Sequence, residues 1–131
     1  MRVMEMIKEH PQVGDDFTQE LGVAVRHAMY CAEICASCAD ACIAESTAKD
    51  MRQCIRNCLD CSDICEATAK TGLRRTAQNI VVLRAQLQAC IMACDVCAEE
   101  CEKHDNPHCE RCAKMCRECA SDCRAALPEV N

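Results

Sequence analysis

Cys31, Cys35, Cys38 and Cys42 are spaced Cys-x3-Cys-x2-Cys-x3-Cys. The same spacing returns at Cys54, Cys58, Cys61 and Cys65, and again at Cys90, Cys94, Cys97 and Cys101. A variant with one more thiol, Cys109, Cys112, Cys116, Cys119 and Cys123, completes the series. Thiolates are soft ligands that select Cu(I), zinc or iron–sulfur clusters. Helical side chains four apart have Cβ atoms about 5–6 Å apart, a span that one two-coordinate ion bridges. Charge then discriminates among the metals. Many bare thiolates in a dry core would repel one another and protonate. Monovalent Cu(I) with bridging thiolates cancels close to one charge per cysteine, so a filled core holds on the order of one ion per thiol. Zinc prefers closed tetrahedral sites, often on turns, and stacked iron–sulfur clusters need more room than a bundle seam provides. Multiple Cu(I) ions per chain are therefore the expected cargo, with zinc or mixed thiophilic-metal buffering as the alternative.

Those spacings require helices. At about 100° per residue, offsets of 0, 4, 7 and 11 fall at roughly 0°, 40°, -20° and 20°, so each set of four thiols forms one narrow stripe. The stripe of the last helix is about 80° wide by the same rule. Breaks in the sequence separate the copies. Pro11, Gly14, Asp15 and Asp16 divide a leader, residues 1–15, from a bundle domain, residues 16–131. Helices are expected over about 17–45, 49–70, 73–103 and 107–127, with Gly72 as a C-terminal stop, Asn106 as a cap and Pro107 in the first turn. Short connections between four helices favour an all-α, antiparallel up-down four-helix bundle with a cysteine-lined core. Antiparallel threading would place Cys31, Cys65, Cys90 and Cys123 in one layer, and Cys35, Cys61, Cys94 and Cys119 in the next. Cys38, Cys58, Cys97 and Cys116 would follow, then Cys42, Cys54, Cys101 and Cys112, with Cys109 beyond.

The two ends of such a tube differ. Past Cys31 and Cys90 the stripes continue as Ala24, Ala28, Leu83 and Leu87, with Leu127 after Cys123: a hydrocarbon plug. The opposite end carries Glu45, Met51, His104 and His108. Imidazole and thioether both suit copper, so ions are expected to pass in there, with His104 and His108 binding or relaying them. The blander alternatives are exposed loop histidines and a packing methionine. His27, one turn before Cys31, is expected to be a satisfied core histidine rather than a ligand, and Asn57 borders the second stripe. Met29, Met92 and Met115 are expected to pack or to form an interface.

Composition excludes several classes. The 131 residues hold 17 cysteines but one Phe, one Tyr and no Trp, so sulfur must fill the space that aromatic side chains usually take. A disulfide scaffold is disfavoured by the odd cysteine number, a helix-forming composition and the absence of an export signal. The expected location is the cytoplasm, where thiols stay reduced. A net charge of -6 argues against nucleic acid and anionic membranes as partners. No uninterrupted apolar run reaches the ~18 residues needed to span a bilayer. A redox enzyme would need one distinctive thiol at a helix N-terminus. The cysteines are instead mid-helix and equivalent, so no catalytic residue and no enzyme are expected.

With one copy of the spacing on each helix, the chain resembles the bacterial cytosolic copper storage proteins over about residues 17–127. The resemblance implies a four-helix bundle that sequesters many Cu(I) ions and assembles as a homotetramer, with His or Met at an open end. Exported members of that family carry a twin-arginine signal, which this sequence lacks. The spacing of Cys109 and Cys112 departs from the strict pattern and leaves the ligands at that end less defined.

Overall fold

Ala, Glu, Arg and Met are strong helix formers, and the segments they dominate between the breaks are all helical. The computed structural model describes residues 2–131. The leader forms a short helix, α1 (Arg2–Lys8), and four long helices follow: α2 (Gln19–Ala44), α3 (Arg52–Leu73), α4 (Ile80–Cys101) and α5 (Pro107–Ala126). Single 3-10 turns occupy Gly14–Asp16, Ala48–Met51 and Leu127–Glu129. Each long helix packs on its chain neighbours, and α5 closes onto α2. The result is the expected antiparallel up-down four-helix bundle.

Two boundaries differ from expectation, the end of α3 and the start of α4. Gly72 does not end α3 but lies inside it, where the helix crosses α2 closely: a Cβ there would stand 2.5 Å from Val25 Cγ2. Its purpose is close approach rather than a left-handed cap. The chain stays non-helical from Arg74 to Asn79, and α4 begins at Ile80 instead of residue 73. Here tertiary hydrogen bonds outweigh helix propensity. Arg75 donates to Asn131 Oδ1 at 2.9 Å, and the Ala77 N–H, at φ 58°, donates to Gln12 Oε1 at 2.7 Å. Leader, 74–79 loop and C-terminus thus tie together over one end of the bundle.

That end is plugged with hydrocarbon, as the stripes indicate. Leu21, Ala24, Val25, Ala28, Leu83, Leu87 and Ala126 are buried, and Met4, Ile7 and Val13 of the leader add to them. Thiols dominate the rest of the interior, with alanines such as Ala32, Ala39, Ala98 and Ala120 packed beside them. The outer face of α4 exposes Val81, Val82, Met92 and Val96, and single apolar residues such as Met6, Ile43 and Leu59 are exposed on other helices. Over its most apolar window α4 has a mean hydropathy of 1.6, and by length and composition it could cross a membrane. The sequence contains no uninterrupted apolar run because Arg84 and Asp95 interrupt it, yet the average is high since cysteine counts as apolar. Its inner stripe, from Leu83 to Cys101, is buried against the other helices.

Candidate metal centre

All 17 cysteines are free and buried. They touch in a continuous network. Along one helix, Cys31 Sγ lies 3.8 Å from Cys35 and Cys61 Sγ 3.8 Å from Cys65. Between helices, Cys65 lies 3.7 Å from Cys90, Cys61 3.7 Å from Cys94, Cys58 3.7 Å from Cys97, and Cys54 3.6 Å from Cys101. These four α3–α4 pairs follow the antiparallel register read from the spacing. So does Cys90 with Cys123, at 3.8 Å.

The α2–α5 pairing does not. Cys31 meets Cys116 at 3.8 Å, Cys35 meets Cys112 at 3.7 Å, and Cys42 meets Cys109 at 4.0 Å. Cys31 thus sits two stripe positions from its expected partner Cys123, Cys42 one position from Cys112, and Cys35 one to two from Cys119, since it also lies 3.6 Å from Cys116. Going round the bundle, the thiols therefore climb like a staircase instead of closing into flat rings. Spacing along one helix carries no information about the axial offset between two helices, which their packing sets. Cys109, expected to overhang the column, fills the vacated position opposite Cys42.

The staircase produces overlapping four-ligand groups, each with sulfur atoms within 4.8 Å of one another. Cys31, Cys61, Cys65 and Cys94 make one, Cys31, Cys35, Cys61 and Cys116 another, and Cys38, Cys58, Cys101 and Cys112 a third. Because members are shared, the groups cannot all fill independently as closed tetrahedra. They suit ions that share sulfur.

Proton balance in the column is cooperative. The S–H···S bonds that Cys35, Cys58 and Cys94 donate, chiefly to Cys112, Cys101 and Cys116 respectively, push these thiols far up into the neutral form, and burial adds to this. Neighbours that accept such bonds move the other way: Cys97 falls to about 6, chiefly through Cys101, and Cys38 to about 7, also through Cys101 first. Cys109, where burial dominates, rises to about 12.

At the end opposite the plug, His108 joins the thiols. Its Nδ1 lies 3.4 Å from Cys38 Sγ and 3.6 Å from Cys109 Sγ, while Nε2 meets Glu45 Oε1 at 3.3 Å. Cys38, Cys42, His108 and Cys109 form a mixed nitrogen–sulfur group. Burial alone would lower the imidazole's affinity for a proton, but the bonds to Cys38 and Glu45 outweigh it and raise it. His104 is placed differently. It bonds to Glu100 Oε2 at 3.0 Å and lines a surface cleft with Asp105, Glu110 and Lys114. It stays close enough for its charge to help hold Cys54 down at about 3, after the larger effects of Cys101 and Cys58.

The remaining candidates sort by position. Met51 is 1 % exposed and caps the column, with the Asn106 amide donating to its sulfur at 3.6 Å and to Cys109 Sγ at 3.9 Å. Asn106 caps α5 only through its backbone carbonyl, and its side chain's role at the thiols left no mark in the sequence beyond that of a helix start. His27 bonds to Asp122 through Nδ1 and pairs with Glu118 through Nε2 at 3.5 Å, as a satisfied core histidine should. Asn57 accepts a bond from Gln53 and lines an outer groove beside Met92. Met29 and Met92 are exposed and Met115 is buried.

A helical bundle whose interior is a continuous column of free thiols, backed by hydrocarbon at one end and an imidazole at the other, defines a protein that sequesters soft metal ions. Comparison with known proteins gives the family. The profile described as Csp, copper storage protein, matches residues 17–128. The copper storage protein Ccsp from Streptomyces lividans, solved loaded with 10 copper equivalents, superposes with a TM-score of 0.93 at 36% identity over 98% of this chain and 99% of that one. A second structure of a cytosolic copper storage protein from Streptomyces lividans, with five coppers, gives 0.83 at 38% identity over 86% and 96% of the two chains. Cu(I)-bound BsCsp3 gives 0.74 at 31% identity over 82% and 97%. The chain belongs to the copper storage protein family.

Proposed function

We propose that this chain is a cytosolic reservoir that takes many Cu(I) ions into its thiol column, without catalytic turnover. The observation that carries this is the overlap of the four-sulfur groups: Cys31 and Cys61 each belong to two of them. Bridging thiolates let monovalent ions fill such a column with little net charge, whereas closed tetrahedral zinc sites would compete for the same sulfurs. The relatives loaded with copper, one of them described as cytosolic, support the same cargo and location. The ligands are the 17 cysteines with His108, and His104 flanks the column outside. The exposed valines and Met92 on α4 support self-association into a homo-oligomer, a tetramer by family resemblance, as a way of covering apolar surface.

Anaerobic titration with Cu(I) against a competing chelator tests the reservoir. Many tightly held ions per chain are expected. Saturation at one or two would defeat it.

A further inference from the structure

The end of the column that the sequence leaves open is covered in the structure. Met51 is 1 % exposed, and the Asn106 amide lies over both its sulfur and that of Cys109. An opening exists one turn away, on the side. Cys38 is the one thiol with measurable exposure, 3 %, every other cysteine standing at 0 %. It forms the floor of a cleft of about 120 Å³ between α2 and α5, lined by Ile34, Ser37, His108 and Arg111. That is room for the head group of a small molecule and too little for a protein loop. Ser37 and Arg111 are exposed at the rim. Arg56, Arg117 and Arg124 are each paired with carboxylates, but Arg111 has no ion pair among the described residues.

On a chain of net charge -6, a free guanidinium beside a metal-binding thiol creates a local site for an anion. We propose that Cu(I) passes into the column sideways, through this α2–α5 cleft, carried as an anionic complex with a small carboxylate-bearing thiol. Arg111 and Ser37 hold the carrier, and Cys38 takes the metal. The proposal presupposes the storage function above.

The transfer is ligand exchange with copper remaining Cu(I). A Cu–S bond to Cys38 forms as one Cu–S bond to the carrier breaks, and the Cys38 thiol proton leaves with the departing carrier as a neutral thiol. A second exchange repeats this at Cys109, whose sulfur lies within 4.8 Å of that of Cys38. The second carrier thiol then departs. His108, in contact with both sulfurs, stands beside the ion at the step between them.

The test is anaerobic stopped-flow loading from Cu(I)–mercaptosuccinate, an anionic carrier, and from Cu(I)–cysteamine, a cationic one. Arg111→Glu should slow the anionic carrier about tenfold, the lower range of electrostatic steering, and should not slow the cationic one. Ser37→Trp, filling the cleft from an exposed position, should slow both. All three proteins should show the same helicity and reach the same final copper content. An unchanged rate from the anionic carrier in either variant overturns the side route. Equal slowing of both carriers by Arg111→Glu overturns the anionic carrier. A wild-type end point of one or two ions would instead count against storage itself.

Discussion

At the residue scale, each cysteine has two roles, as core filler and as prospective ligand, and these can be separated. Cys94 Sγ touches Cys31, Cys61 and Cys65 at 3.9, 3.7 and 3.6 Å. Cys94→Ser keeps the volume while removing the soft donor. It should lower copper capacity by on the order of one ion with helicity unchanged, as measured by chelator titration and circular dichroism. The protons move as well. Metal binding needs thiolates, and Cys109 at about 12 and the strongly raised Cys35, Cys58 and Cys94 are protonated at neutral pH. Loading should therefore release protons, visible as acidification of a weakly buffered dye solution, and affinity should fall as pH is lowered. The histidines differ in the same experiment. His108→Ala should slow the first phase of loading, because its imidazole touches two thiols. His104→Ala should change that phase less, because its ring is held by Glu100 outside the column.

At the element scale, the geometry between helices matters most where the side chains are smallest. Gly72 lets α3 approach α2, and a methyl group there would collide with Val25 Cγ2 at 2.5 Å. Gly72→Ala should destabilise the metal-free protein by about 1–3 kcal/mol, the usual cost of overpacking. Val25→Ala should recover part of that loss. A double-mutant cycle in urea checks it, since contacting residues are non-additive. The α2–α5 offset belongs to the same scale. The staircase of shared sulfurs exists because α2 is displaced along the bundle relative to α5, pairing Cys31 with Cys116 and Cys42 with Cys109. Flat rings of four would have offered separate sites.

At the scale of the whole molecule, function is distributed by end and by face. The leader, the 74–79 loop and the C-terminus close the plugged end through Arg75, Gln12 and Asn131. The outer face of α4 exposes four large apolar side chains, Val81, Val82, Met92 and Val96. If it joins copies of the chain, Val82→Lys with Met92→Lys should reduce the oligomer to monomer in light scattering. Copper capacity should remain unchanged, since the thiols face the other way.

Helical phase is a property of one chain segment. The repeat at Cys31–Cys42, Cys54–Cys65 and Cys90–Cys101, with its variant at Cys109–Cys123, was therefore enough to establish four helices, a sulfur-lined interior and the choice of a soft monovalent cargo. The plug at Leu83 and Leu87 and the satisfied role of His27 were legible for the same reason, each being a matter of position on its own helix. Relations between helices were not. The α2–α5 offset, the burial of Gly72 against Val25, the Asn106 side chain over Met51, and the separation of His108 from His104 all depend on how side-chain ridges of two helices interlock. Packing across the gap between helices decides those contacts, and a one-dimensional spacing does not encode it.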